Sequence, residues 1–193
     1  MITGGGSPPK KDTRIYDILD NEVTLQCSML EPRNAHAITR CDGVIYVLGG
    51  FSGKERLNSV ECFVQAETKW IKVQPMKQKR HYLAACSIGN EAIYAFGGFH
   101  GSSETEINDS IEKFSVEDEE WTILSFRLKS PLWACSVVPI SQNEIMLIGG
   151  KNLNRNSEVH LLDLQQRVWK QLPSMNQMRV SHKSFVIEYF DIF

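Results

Sequence analysis

The 193-residue chain carries 21 lysines and arginines against 23 aspartates and glutamates, a net charge of −2, with 42% hydrophobic and 23% charged residues. That balance suits a globular chain with a sizeable core, and it excludes a dedicated nucleic-acid or membrane-surface protein, which needs a basic block or patch. No apolar run approaches the ~18 residues of a membrane span, and no apolar stretch follows a basic start as in a secretory leader.

In chain order, the first element is "MITGG" (Met1 to Gly5), an apolar run closing on Gly4 and Gly5, followed by the basic, proline-bearing loop "GGGSPPKKD". "DTRIYD" (Asp12 to Asp17), Val23 and Met29 come next. The pattern then returns in full. "VIYVLGG" (Val44 to Gly50) leads to "NSVECF" (Asn58 to Phe63), Trp70 and Met76. "AIYAFGG" (Ala92 to Gly98) leads to "DSIEKF" (Asp109 to Phe114) and Trp121. "EIMLIGG" (Glu144 to Gly150) leads to "SEVHLL" (Ser157 to Leu162), Trp169 and Met175.

The first glycines of the pairs Gly4–Gly5, Gly49–Gly50, Gly97–Gly98 and Gly149–Gly150 are spaced 45, 48 and 52 residues apart, and the three tryptophans 51 and 48. Each unit holds four short runs rich in Ile, Val, Tyr and Phe, separated by turn residues, which predicts short strands. No stretch keeps a 3.6-residue period long enough for a helix. One four-stranded sheet per 45–52 residues cannot bury both of its faces alone, so the pattern predicts the blades of a β-propeller, each covered by its neighbours. An apolar strand ending in two glycines lets backbone approach backbone without Cβ clashes. Each tryptophan supplies a plate of ~150–250 Å² to wedge between blades, so Trp70, Trp121 and Trp169 are expected to be buried there, with Val23 in the same place in the first unit.

The co-occurrence of the double glycine, the "NSVE"-like segment and the spaced Trp in three copies resembles the kelch-repeat family, over nearly the whole chain. The resemblance implies an all-β, kelch-type propeller, which becomes the expected fold class. The expected units are a partial one at 1–29, complete ones at 33–75, 80–126 and 129–173, and an inner strand at 180–190. Kelch-type propellers commonly have five to seven blades, so the resemblance implies a part of a larger propeller. The alternative is a closed ring of four in which 180–190 completes the first unit. An open arrangement is expected to self-associate through its unpaired strand edges.

The five cysteines, Cys27, Cys41, Cys62, Cys86 and Cys135, are odd in number and scattered without a CxxC pair. Neither a disulfide framework nor a zinc site is indicated, and a reducing, cytoplasmic setting is expected. Of the histidines, His36, His81 and His182 fall near inner loops, and His160 takes the place of Glu61 and Glu112. No metal site, cofactor or catalytic residue is expected, because no nucleophile motif, phosphate loop or paired-carboxylate signature occurs.

The more informative series is basic. Arg33, Arg80 and Arg179 each stand four residues past a methionine, and Lys129 takes that place when "AACS" (Ala84 to Ser87) is aligned with "WACS" (Trp133 to Ser136). These four cations, with loop residues Phe51, Phe99 and His100, are expected to ring one mouth of the channel and to bind an acidic or phosphorylated segment of a protein partner. Such cations also commonly do no more than cap and solvate turns, and that alternative stands beside the first. The expected function is a non-catalytic interaction scaffold or adaptor, with no nucleic-acid or membrane partner. The alternative is a kelch-like-fold enzyme acting on a sugar or other small molecule.

Overall fold

In the computed structural model, residues 1–101, 106–152 and 156–186 are described. They form fifteen strands and one short 3-10 turn at Gln65–Glu67. The first blade is a three-stranded sheet of β1 (Ile2–Thr3), β2 (Thr13–Asp17) and β3 (Glu22–Leu25). The second holds β4 (Ala37–Cys41), β5 (Val44–Leu48), β6 (Val60–Val64) and β7 (Lys69–Val73). The third holds β8 (Ala84–Ile88), β9 (Ala92–Phe96), β10 (Ser110–Ser115) and β11 (Glu120–Arg127), and the fourth β12 (Ser136–Pro139), β13 (Glu144–Ile148), β14 (Val159–Asp163) and β15 (Val168–Leu172). All neighbours within a blade are antiparallel and follow chain order, so each blade is an up-and-down meander. The inner strands β4, β8 and β12 adjoin in turn. The expected closing strand is not formed over 180–186, and its remainder lies outside the described residues.

Apolar strand residues fill the spaces between blades. Leu48, Val60, Met76 and Trp121 bury one interface, and Phe96, Ile111, Ile145 and Leu162 the next. Trp70 and Trp121 are buried, and each donates its indole N–H to the preceding blade: Trp70 to Thr13 Oγ1 at 2.9 Å, Trp121 to the Gln74 carbonyl at 2.9 Å. Trp169 makes the same bond to the Arg127 carbonyl at 2.8 Å but is only half-buried, a departure from expectation. Val23, opposite Tyr16 in the register that Trp70 holds opposite Phe63, is 55% exposed, because no blade in the described residues covers that side.

The glycine pairs close the blades onto one another. Gly97 sits at φ 57°, and a Cβ there would lie 2.1 Å from the Leu132 carbonyl oxygen. Its neighbour Gly98 donates its N–H to that same carbonyl at 2.8 Å. Gly50 donates equivalently to Arg80, and Gly150 to Arg179. Only a residue without a side chain fits so close an approach.

The arginine whose carbonyl receives this bond also reaches forward. Arg33 is fully buried; its guanidinium donates to the Gly49 and Ser59 carbonyls at 2.7 and 3.2 Å and pairs with buried Glu61 at 2.6 Å. Arg80 repeats the arrangement with the Gly97 and Ser110 carbonyls at 2.7 and 3.1 Å and with Glu112 at 3.1 Å. Each glutamate accepts two further backbone N–H bonds from the turn before its arginine, Leu30 and Glu31 for Glu61, Lys77 and Gln78 for Glu112. A buried carboxylate with three or more donors is satisfied, so these pairs hold blades 1 to 2 and 2 to 3 without stranding a charge.

At the interface of blades 3 and 4 the pattern changes. The carbonyl that receives the glycine N–H belongs to Leu132, which is buried, and the residue in the register of Glu61 and Glu112 is His160. An apolar side chain and a neutral imidazole replace the ion pair together. Burial and the charge of Lys129 hold His160 below the ordinary histidine range, with Glu158 opposing.

Candidate recognition surface at the channel mouth

Two backbone features build the mouth of the channel. First, the residue after each interlocking position bridges the residue after a glycine pair: Asn34 to Phe51, His81 to Phe99 and Trp133 to Lys151. Second, the following residue adopts a left-handed conformation in every blade junction: Ala35 (φ 48°), Tyr82 (φ 55°), Ala134 (φ 51°) and Ser181 (φ 55°). Their main chains form a relay around the axis. Tyr82 donates its N–H to the Ala35 carbonyl at 2.7 Å, Ala134 to Tyr82 at 2.8 Å and Ser181 to Ala134 at 2.8 Å.

Three of these four residues are small. Tyr82 is the exception, an aromatic side chain held at positive φ, where non-glycine residues are uncommon and strain gathers at functional sites. Tyr82 is 39% exposed and packs edge-on against Trp133 with ring centroids 5.2 Å apart. Phe99 stacks with His81 at 5.2 Å and with Trp133 at 4.8 Å, and Phe51 meets His81 at 6.1 Å. Lys151 Nζ lies 5.2 Å from the Trp133 ring, a cation–π contact. A continuous aromatic wall therefore lines one side of the mouth.

The loops after the glycine pairs carry Lys10, Lys11, Lys54, Arg56 and Lys151, together with Glu55, which pairs with Lys79. Inside the mouth lies a cavity of about 230 Å³ bordered by His36, Tyr82, Cys135, His182 and Lys183. Burial, with the charges of Arg33 and Lys183, pushes His36 down to about 4, and burial, with Arg56, does the same to His81. Both are thus neutral at physiological pH. His36 Nε2 hydrogen-bonds Thr3 Oγ1 at 2.9 Å, while the Nδ1 atoms of His36 and His81 are buried without a partner. Among the described residues no group of three or more histidines, cysteines or acids converges as a metal site. All five cysteines are free, and burial raises the thiols of Cys86 and Cys135 to about 12.

Several expected site residues take other places. Arg33 and Arg80 do not present charge to solvent; their guanidiniums are spent on glycine carbonyls and buried glutamates, which corrects the expected ring of four cations. Lys129 is exposed but three residues out of register, since Leu132 holds the matching position. Arg179 is exposed and keeps only the backbone half of the pattern, accepting from Gly150 at 2.8 Å. Phe51 is half-buried and Phe99 buried within the aromatic wall, and His100 is exposed beside them. Tyr82, Trp133 and Lys151 were absent from the expected set. Trp133 had a signal in sequence, being the one tryptophan of four outside the ~50-residue spacing.

This blade geometry agrees with what the chain is similar to. The family model for the KLHDC2/KLHL20/DRC7 Kelch-repeats domain matches residues 1–191. The chain belongs to the kelch-repeat family. It is 25% identical to human Kelch-like protein 23 over 166 residues, 86% of this chain and 28% of that protein. An F-box/kelch-repeat protein of Arabidopsis thaliana is 38% identical over 77 residues, 40% of this chain and 22% of that protein. Alpha-scruin of Limulus polyphemus is 25% identical over 180 residues, 86% of this chain and 19% of that protein. The chain thus spans less than a third of each of these relatives. Among solved structures, that of YjhT superposes with a TM-score of 0.74 at 17% identity, covering 90% of this kelch chain and 62% of YjhT, a likeness of fold. Among the described residues no helix is long and apolar enough to cross a membrane.

Proposed function

We propose that this kelch-repeat chain is a non-catalytic interaction module whose channel mouth binds an acidic segment of a protein partner. The observation that carries the reading is Tyr82, held at positive φ where the other junctions use Ala, Ala and Ser, and packed into an aromatic wall that Lys151 covers at Trp133. Rigid aromatic rings supply contact area at low entropic cost, and a cation beside them steers and orients an acidic ligand. Kinship with Kelch-like proteins supports an adaptor role.

Trp133 provides the readout. Glutamate-rich and phosphoserine peptides are titrated against the chain while tryptophan fluorescence is followed. Binding is expected to weaken with salt and to fall at least ~10-fold in Tyr82→Ala, the effect of losing one hot-spot side chain. A basic peptide that binds as well as its acidic counterpart, or an undiminished Tyr82→Ala, refutes the proposal.

A further inference from the structure

The channel mouth lies where β5, β9 and β13 run into their glycine pairs; the turns at 42–43, 65–68 and 116–119 close the hairpins at the opposite end of the blades. At that end a cavity of about 480 Å³ opens between blades 2 and 3. Ile71 and Val73 border it from the second blade, Phe114 and Val116 from the third, and Tyr46, Gln74 and Glu119 are polar groups on its lining. An apolar wall with a few placed polar groups is the make-up of a small-molecule site.

Tyr46 is the unusual member. It is only 8% exposed, yet its hydroxyl has no hydrogen-bond partner among the described residues and is not sealed off from the cavity. A buried tyrosine hydroxyl ordinarily finds a partner. Burial, followed by Cys62, Cys41, Asp42 and Glu119, pushes this phenol up to about 12, so it stays neutral and can both donate and accept.

The charge beside it is negative. The turn "VEDEE" (Val116 to Glu120) brings four carboxylates to this end. Glu120 pairs with Lys77 at 3.2 Å and Asp118 accepts from the Ser115 hydroxyl at 2.8 Å, whereas Glu119 has no ion-pair partner among the described residues. Lys72 also lines the cavity but pairs with Glu31 at 2.8 Å, and Arg40, at the next turn, donates to the Gly43 carbonyl at 3.3 Å.

The junction of blades 1 and 2 repeats the frame with other residues. Its cavity, about 390 Å³, has Met1 in the place of Tyr46, Gln65 in that of Val116 and Thr68 in that of Glu119. Thr68 and Glu119 share a left-handed conformation, φ 50° and 51°, so the backbone is kept while the phenol and the carboxylate are not.

We propose that the cavity between blades 2 and 3 is a second binding site, on the face away from the mouth, for a small organic cation with an apolar body. The body lies against Ile71, Val73 and Phe114. The cationic head donates to Glu119 and to the Tyr46 hydroxyl oxygen, beside two aromatic rings.

Indole N–H resonances tell the sites apart. Trp121 packs on Phe114 with ring centroids 5.2 Å apart and donates to the Gln74 carbonyl, so it reports this cavity. Trp70, packed on Phe63, reports the neighbouring one, and Trp133 the mouth. Phenethylammonium, phenethyl alcohol and phenylacetate, similar in shape but different in charge, are titrated into nitrogen-labelled chain, with indoles assigned from single tryptophan-to-phenylalanine variants. The cation is expected to shift Trp121 saturably and to leave Trp70 and Trp133 in place. The alcohol should bind about 10-fold more weakly, and phenylacetate more weakly still. Glu119→Gln, on an exposed turn, should cut the affinity for the cation about 10-fold and leave that for the alcohol unchanged, while Tyr46→Phe should weaken both. The proposal fails if no probe shifts Trp121, if all three shift it alike, or if Glu119→Gln binds the cation undiminished. N-acetylarginine amide, the head of a partner's side chain, is run alongside; tighter binding by it than by phenethylammonium would give the cavity to a basic protein segment and overturn the small-molecule assignment.

Discussion

Replacing Arg80 with leucine tests whether the buried ion pairs hold the propeller together or only fill space. The guanidinium donates to the Gly97 and Ser110 carbonyls, the Ser110 hydroxyl and Glu112, all in the adjoining blade. Its loss leaves the Glu112 carboxylate buried with two backbone N–H donors and no counter-charge. Removing one partner of a buried pair costs about 3–5 kcal/mol. At ~2–4 °C per kcal/mol for a chain of this size, the melting temperature should fall by roughly 6–20 °C. The double variant Arg80→Leu/Glu112→His copies the Leu132 and His160 pair that the chain already uses one blade further on. It removes the stranded charge, and about half or more of the loss should return, because an apolar replacement of a whole buried pair is often near neutral. Circular dichroism melts of the wild type, both single variants and the double variant complete the cycle. If Arg80→Leu alone costs less than about 1 kcal/mol, or if the two single losses simply add in the double variant, the interlock is not a coupled unit and the reasoning is wrong.

Trp121→Ala should destabilise by about 3–5 kcal/mol by opening a cavity between blades 2 and 3, whereas Val23→Ala, on an exposed face, should stay within about 0.5 kcal/mol; urea unfolding midpoints compare them. Stability should also depend on pH through His36 and His81. Their folded-state values lie near 4, below the ordinary 6.5, so the unfolded chain binds more protons between those limits. Stability is therefore full above about 6.5 and is lost as pH falls toward 4, by on the order of 2–3 kcal/mol for His36 alone. His36→Asn should flatten that part of the pH profile of the melting temperature, and an unchanged slope would show that the imidazole does not stay neutral in the fold.

Strand positions and blade count followed from residues that repeat for steric reasons: glycines that no side chain could replace and tryptophans that wedge between sheets. The site was less legible. Arg33 and Arg80 recur as conspicuously as surface recognition residues would, yet their periodicity reflects burial against Glu61 and Glu112, whose own recurrence in "NSVE" and "DSIE" was the overlooked half of the pair. The placement of Lys129 rested on a look-alike tetrapeptide. "AACS" begins at Ala84, opposite Phe96, but Ala84 matches Ser136, opposite Ile148, so "WACS" sits three residues early. Tyr82 gave no signal because positive φ is legible in sequence only when glycine or asparagine supplies it.

The relay of main-chain hydrogen bonds from Ala35 through Tyr82 and Ala134 to Ser181 has an evolutionary corollary. Each bond joins peptide groups alone, so the path around the axis does not depend on side-chain chemistry at these four positions, proline excepted because it lacks the N–H and cannot take positive φ. Alanine, tyrosine and serine already occupy equivalent places without breaking it. The positions nearest the axis can therefore exchange residues over generations without disturbing the frame, at no more than the local cost of a side chain at positive φ. Such a scaffold separates the inheritance of shape from the choice of side chain at each junction.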